Sequence, residues 1–215
     1  MPQARGGVSS RVRLALVDAL LAEQEVRPCA VLTLRWLARH AGIERGLCAV
    51  VESESGRLVG LTGVGLTLAA VDAFALDLND RTHPLIVALA GTEPVAFRGM
   101  GPRQPLDTPL ATEPFHAVPL VGPGENGDIG SGLLLLSGVE PAAEEDVRWA
   151  AEILGVRLQS LWYRRSQVDE RRYKREQSWL RAHSKSFANW PARHGQQLTW
   201  RAAMDVRLSQ SKNSF

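Results

Sequence analysis

Apolar residues recur at alternating spacings of four and three along residues 141–168. The row consists of Val147, Ala151, Leu154, Leu158 and Leu161, after which Arg165 interrupts it and Val168 resumes it. These spacings place residues on one face of an α-helix, and such a row is typical of a coiled-coil seam. The pattern predicts a long last helix that leaves the domain and meets a partner helix.

Two further apolar stripes predict two helices ahead of any strand. The first begins near Ser9 or Ser10, either of which suits an N-cap, and runs roughly to Glu25. The second has Pro28 in its first turn and stops at Gly42.

Four short β-type runs predict two hairpins. Residues 47–52 and 58–66 are separated by turn residues at 53–56, and residues 115–121 and 129–136 by a loop rich in Gly. The residues at 133–136 are consecutive leucines, so both faces of the central strands are expected to be covered.

The middle of the chain is less regular. Residues 68–76 are compatible with a helix, residues 84–90 form a better supported helix, and residues 94–97 form a brief strand. Residues 98–112 contain five Gly and Pro residues, which predicts an exposed, mobile loop. We expect residues 68–110 to form a lid over one face of the sheet, with a small-molecule pocket beneath it.

Composition is that of a globular chain with a substantial core. The 215 residues are 45% hydrophobic, and 25 Lys and Arg against 23 Asp and Glu leave a net charge of +2. This balance does not indicate a general polyanion binder, so charge alone does not imply nucleic-acid binding and no clear nucleic-acid partner is predicted. No apolar run is long enough for a membrane span, and a cytoplasmic protein is expected.

The chain resembles the GAF domain family in the order of its elements and in its last two strands and last helix. The residues that carry the resemblance are Val118-Pro119-Leu120, Ile129-Gly130-Ser131-Gly132-Leu133-Leu134-Leu135 and Glu144-Glu145-Asp146-Val147. The resemblance covers about residues 10–165. It implies an α+β fold in which a central antiparallel β-sheet is flanked by helices, with a long C-terminal exit helix. It also implies a ligand pocket over one face and a homodimer formed through the first and last helices.

The residue set of cyclic-nucleotide-binding GAF domains and the cysteine context of bilin attachment are absent from the sequence. The resemblance therefore leaves the ligand and any cofactor unassigned. We expect a disordered N-terminus at 1–8, a GAF-like sensory domain at 9–163, a basic signalling helix or linker at 164–182, and a poorly ordered basic tail at 183–215.

Five residues are candidates for the ligand pocket. Arg98 and Arg103 lie in the predicted lid loop, where a guanidinium can hold a carboxylate or phosphate, although loop arginines are more often solvated. Phe74, Phe97 and His116 would supply walls if the lid folds over the sheet.

Other motifs do not support catalysis or a metal site. The histidines show no paired ligand spacing, and the G-x-G-x-x-G match beginning at Gly122 joins two strands instead of leading a strand into a helix. Ser131 lacks the spacing of a nucleophile elbow. Cys29 and Cys48 lie in apolar stretches, where buried inert thiols are expected.

The pattern favours a module that binds a small ligand and dimerises in bacterial-type signal transduction. It would pass a ligand-induced change through its last helix to an output domain or a partner protein. A ligand-free dimerisation scaffold is the alternative, followed by a redox enzyme of the free methionine sulfoxide reductase type, which also has a GAF fold. Binding of nucleic acid or of a membrane surface is one interpretation of the basic tail, but a connector to an output domain is the favoured one.

Overall fold

A computed structural model of the chain describes residues 8–98, 108–120 and 131–188. The helices are α1 (Ser10–Ala22), α2 (Val26–His40), α3 (Leu68–Asp72), α4 (Pro84–Leu89) and α5 (Glu144–Ala188), the last preceded by a 3₁₀ turn, Pro141–Ala143. The strands are β1 (Arg45–Glu52), β2 (Arg57–Val64), β3 (Ala75–Asp77), β4 (Val95–Phe97), β5 (Phe115–Pro119) and β6 (Gly132–Ser137). The chain divides into two compact units, Met1–Arg164 and Arg165–Phe215.

The six strands form one antiparallel sheet in the order β3-β2-β1-β6-β5-β4. The predicted α+β fold, an antiparallel sheet flanked by helices, is confirmed. Residues 68–76, which the sequence left ambiguous, contain the short helix α3 and the start of the edge strand β3.

Both predicted hairpins pair as expected. The β1–β2 pairing runs from Glu52 opposite Arg57 to Gly46 opposite Val64. The turn between these strands ends at Gly56, whose φ of 64° favours glycine over any residue with a side chain. Strands β5 and β6 are also antiparallel neighbours. Most of the loop between them, 121–130, lies outside the described residues.

The first two helices differ slightly from the prediction. Helix α1 ends at Ala22, three residues before the predicted end, because Glu23 already adopts an extended conformation. Helix α2 has Pro28 in its first turn, where the missing N–H is not needed, and Gly42 follows its end with a φ of 72°. Both predicted signals for α2 are therefore confirmed.

Side chains that alternate along β1, β5 and β6 divide the core into two layers. One layer lies between the sheet and helices α1, α2 and α5, and we call this side of the sheet the helix face. The other lies between the sheet and a cover made of α3, α4 and residues 108–114, and we call this side the lid face. Leu134 and Leu136 belong to the helix face, whereas Leu133 and Leu135 belong to the lid face.

The apolar row of α5 packs within the domain and does not form a seam to a partner. Its five members are all buried in the helix-face core beside side chains of α1, α2 and the sheet: Val147, Ala151, Leu154, Leu158 and Leu161. The prediction that this row meets a partner helix is wrong. A helix that covers a sheet shows the same spacings of three and four as a coiled coil, so the spacing alone cannot identify the partner.

An ion pair joins the beginning of α1 to the beginning of α5. Arg13 donates from Nε and Nη2 to Asp146 Oδ1 at 2.9 and 2.6 Å, and the backbone N–H of Val8 donates to Asp146 Oδ2 at 3.1 Å. The hydrogen bond to Asp146 raises the pKa of Arg13, whose guanidinium also lies 5.3 Å from the ring centroid of Trp149. The side chain of Asp146 is thus buried with both oxygens bonded.

The structure describes only part of the two chain ends for which the sequence predicted disorder. Val8, expected to be disordered, is the hydrogen-bond donor to Asp146. Helix α5 includes residues 183–188, which the sequence assigned to the tail. Residues 1–7 and 189–215 lie outside the described residues. Among the helices described, none combines the length and the apolar character that crossing a bilayer requires.

Replacing Leu154 by Ala should lower the free energy of unfolding by about 2–5 kcal/mol, because a fully buried leucine is removed from the helix-face core. Leu68→Ala is the matched control, since it removes the same side chain at a position of α3 that is 67% exposed. It should change stability by about 0.5 kcal/mol or less. Urea unfolding followed by circular dichroism measures both. If Leu154→Ala were as stable as the wild type but had lost a dimer, the result would instead support the prediction that the α5 row meets a partner helix.

Candidate functional site

The lid face of the sheet carries the candidate site, since it is where the predicted pocket residues were expected to meet. Helix α3 packs on β2 and α4 packs on β5. Each cover helix is capped by a side chain just before it: Thr67 Oγ1 accepts from the N–H of Ala70, and His83 Nδ1 accepts from the N–H of Leu85. Pro84 occupies the first position of α4. The two caps and the proline favour the helical conformation of α3 and α4. Helices of this length would not be stable without packing on the sheet.

Helix α3 lies directly against the sheet. A side chain at Gly60 would place its Cβ 2.1 Å from the carbonyl oxygen of Val71, so only glycine permits this approach. At this end of the lid face, the cover leaves no room for a ligand between α3 and β2.

The lid-face core is apolar throughout the described residues. It is built by side chains of the sheet, the two cover helices and residue 110: Leu47, Ala49, Leu58, Val71, Phe74, Leu76, Leu85, Ile86, Ala88, Leu89, Leu110, Phe115, Ala117, Leu133 and Leu135. Phe97 packs at its margin and stacks on Phe115, with ring centroids 4.9 Å apart and an angle of 10° between the planes. A ligand in this layer would therefore contact apolar and aromatic side chains.

Arg45 ties the cover to the end of the sheet. Its Nη1 donates to the Glu113 carboxylate, and its Nη2 donates to the carbonyl oxygen of Pro109 at 3.0 Å. Leu110, between these two partners, is fully buried in the lid-face core. The described part of the predicted mobile loop, residues 108–112, is thus held by an ion pair, a hydrogen bond and a buried leucine. Residues 99–107 lie outside the described residues.

The structure brings together only some of the predicted pocket residues. Phe74 and Phe97 both belong to the lid face. Arg98 follows β4 and is exposed, and Arg103 lies outside the described residues. His116 is on the helix face, because it lies between the lid-face residues Phe115 and Ala117 and pairs with Leu136 of the helix face. Its assignment to the pocket is wrong, since successive residues of a strand point to opposite faces.

Sequence reasoning missed Arg45. Its partners are 64 and 68 residues away along the chain, and no local motif surrounds it. The available signal was an arginine two residues before the apolar run that predicted a strand at residues 47–52.

The two cysteines lie on the opposite side of the sheet from the lid. Cys29 of α2 and Cys48 of β1 are both fully buried in the helix-face core. Desolvation raises the pKa of Cys48 to about 12. Desolvation also raises the pKa of Cys29, against the opposing effect of the Arg157 guanidinium. Both thiols are therefore protonated near neutral pH, which does not suit a nucleophile.

No three metal-ligating side chains converge in the part of the chain that the structure describes. The candidate site consists of an apolar layer with Arg45 at its margin.

Comparison with known proteins identifies the fold. No family model and no curated protein matches the chain. The GAF domain of a phosphoenolpyruvate-protein phosphotransferase (ptsP) from Coxiella burnetii aligns with a TM-score of 0.57 at 15% identity, covering 73% of this chain and 95% of that one. Residues 122 to 287 of a methyl-accepting chemotaxis protein align with a TM-score of 0.56 at 13% identity, covering 71% and 98%.

An enzyme also shares the fold. Free methionine-R-sulfoxide reductase from Neisseria meningitidis, in complex with its substrate, aligns with a TM-score of 0.52 at 16% identity, covering 74% of this chain and 96% of that one. The predicted resemblance is confirmed at the level of the fold, which is GAF-like.

Both thiols should resist an aromatic disulfide reagent in the native protein. A pKa of about 12 leaves roughly one Cys48 thiolate in three thousand at pH 8.5, and the sulfur is also inaccessible. Labelling should be complete in denaturant, and native labelling should accelerate only under conditions that promote unfolding. The single variants Cys29→Ala and Cys48→Ala assign each signal. Rapid native labelling of either cysteine at neutral pH would contradict the burial and reopen the reductase interpretation.

Proposed function

We propose that this GAF-like domain is a non-enzymatic sensory module that binds a small apolar or aromatic molecule at its lid face. The observation that carries the proposal is the make-up of that face, where a layer of leucines and three phenylalanines is covered by two short helices and an arginine-tethered segment. Apolar layers with a few polar groups at the margin are typical of small-molecule sites. Such a site would discriminate against a strongly polar ligand, which would lose its hydration without gaining partners.

Strand β6 provides a route from the ligand to the last helix. Leu133 and Leu135 of this strand face the lid, and their neighbours Leu134 and Leu136 face the helices that include α5. A ligand that prefers one packing of the lid-face layer would shift β6 and bias the packing of α5. The shift would be limited by the difference in the ligand's affinity for the two states. We propose that α5 carries this change to an output domain or partner protein.

The proteins that share the fold support a signalling role. They include GAF domains of phosphotransferases and a region of a chemotaxis protein. A reductase shares the fold, but the cysteines of this chain lie in the helix-face core, away from the proposed site.

A ligand-free dimerisation scaffold is the second candidate. It is favoured by the close packing of the lid-face layer, in which Leu85, Leu89, Leu110 and Leu133 are all fully buried. In that case the layer would serve stability alone.

We further propose that the module forms a homodimer through α1 and α5. Leu14 and Leu21 of α1 are seven residues apart and each 59% exposed, and Val156 and Tyr163 of α5 are likewise seven apart and exposed. The two helices lie next to each other, since Arg13 of α1 pairs with Asp146 of α5. A second copy that covered these residues would bury four large apolar side chains from each chain.

Native mass spectrometry of the chain freshly purified from cells, followed by extraction of any bound compound, tests the sensory proposal. We expect a bound small molecule, and Phe97→Ala should reduce its occupancy or affinity about tenfold by removing the ring that stacks on Phe115. His116→Ala is the control because it lies on the other face of the sheet and should bind normally. A folded wild-type chain that never carries or takes up a molecule would favour the scaffold.

The dimer proposal predicts that replacing Leu14 and Leu21 together by Lys gives a folded monomer. The lysines would place two charges in the contact without disturbing the helix-face core. The matched control replaces Leu68 and Val87 by Lys, since both are exposed apolar residues on the cover helices α3 and α4. That variant should remain a dimer. Sedimentation gives the mass and circular dichroism confirms folding. A wild-type monomer at micromolar concentration, or a dimer in both variants, would refute this contact.

A further inference from the structure

The charges of the chain are divided between its two compact units. Residues 1–164 contain 14 Lys and Arg against 19 Asp and Glu, whereas residues 165–215 contain 11 against 4. The net charge of +2 for the whole chain therefore hides an acidic unit and a strongly basic one. A segment with this asymmetry attracts a polyanion even when the protein as a whole is nearly neutral.

Within the helical part of the basic unit, residues 165–188, the charges are also separated around the helix axis. At 100° per residue, the seven basic residues fall within an arc of about 200°, and the three acidic residues fall within the remaining arc. The basic positions are Arg165, Arg171, Arg172, Lys174, Arg175, Arg181 and Lys185. The acidic positions are Asp169, Glu170 and Glu176. We call the first arc the basic face.

The basic face suits phosphate groups in its chemistry and its dimensions. Of the seven residues of the basic face, five are arginines, whose planar guanidinium matches a phosphate with two parallel hydrogen bonds. Arg165, Lys174 and Arg175 are exposed. Residues 165–188 extend about 36 Å as a helix, and a helix fits the major groove of duplex DNA, which is about 12 Å wide.

Two other anionic partners fit less well. A helix that lies in a membrane surface needs a broad, continuous apolar face opposite its basic one. Here the opposite arc holds Tyr173, Leu180 and Phe187, but Asp169, Glu170 and Glu176 lie among them. The acidic unit of a second copy is the other possibility. Of its acidic side chains, Asp146, Glu113 and Glu93 already pair with arginines of their own chain.

We infer that the basic face of residues 165–188 binds the phosphate backbone of duplex DNA without reading its sequence. The acidic unit at residues 1–164 would be repelled by the same phosphates, which restricts the contact to the C-terminal helix. This inference is independent of whether the lid face binds a ligand.

The test uses fluorescence anisotropy to measure binding of the full chain to a labelled DNA duplex of mixed sequence. The duplex has about 20 base pairs and is roughly twice as long as the helix. Salt is varied between about 50 and 200 mM. The face variant carries Arg171→Gln, Arg172→Gln and Arg175→Gln. The control carries Arg27→Gln, Arg35→Gln and Arg39→Gln on exposed positions of α2, so that both variants lose the same charge. Glutamine keeps a helix propensity close to that of arginine.

We expect the face variant to bind at least tenfold more weakly, with a salt dependence reduced by about three phosphate contacts, and the control to bind like the wild type. Duplexes of unrelated sequence should bind equally. Circular dichroism and thermal unfolding identify any loss of structure. The variant with Arg171→Lys, Arg172→Lys and Arg175→Lys keeps all three charges and should retain most of the binding in a folded chain.

Several results would overturn the inference. Absence of binding at about 50 mM salt would do so, as would equal losses in both triple variants, which would reflect total charge alone. Anionic vesicles bound by the basic face in place of DNA would assign a lipid surface. Salt-sensitive self-association that disappears in the face variant, without DNA binding, would assign a second copy as the partner.

Discussion

The burial of β1 and β6 on both faces is the constraint on which the rest of the fold depends. Leu133, Leu134, Leu135 and Leu136 are consecutive and all fully buried, so each side of these strands needs its own apolar cover. Helices α1, α2 and α5 cover one side, and the short helices α3 and α4 with residues 108–114 cover the other. The candidate ligand site and the candidate signalling helix are thereby placed on opposite faces of the same strands.

Arginines connect the segments that the sheet alone does not hold together. Arg45 ties the lid cover to the start of β1, Arg13 ties α1 to α5, and Arg157 of α5 donates to the carbonyl oxygens of Leu21 and Glu23 at the end of α1. Each guanidinium offers several donors in a fixed plane and so satisfies two acceptors of another segment at once. The free carbonyls at the end of α1 also favour a nearby cation.

The two layers differ in how they are closed, and this difference bears on function. The helix face is covered by three helices of two turns or more, whereas the lid face is covered by helices of five and six residues and an irregular segment. Short elements contribute few intrahelical hydrogen bonds and depend on packing and tethers. A ligand that displaced side chains of the lid-face layer would therefore disturb its cover at a lower cost in free energy than a ligand that displaced side chains of the helix-face layer.

The sequence by itself determined the order of the elements apart from α3 and β3, both hairpins, the capped helix starting at Pro84 and the doubly covered central strands. These features follow from turn residues, caps and apolar runs that act within a few residues of each other. The GAF-like fold followed from the resemblance of the last strands and last helix to that family. Tertiary structure alone decided that the α5 row packs on the sheet, that His116 faces away from Phe97, and that Arg45 holds Pro109 and Glu113. The physical reason is distance along the chain. Spacing shows that residues share a face, but only the packed fold shows what that face contacts, and a pairing across more than 60 residues leaves no local pattern.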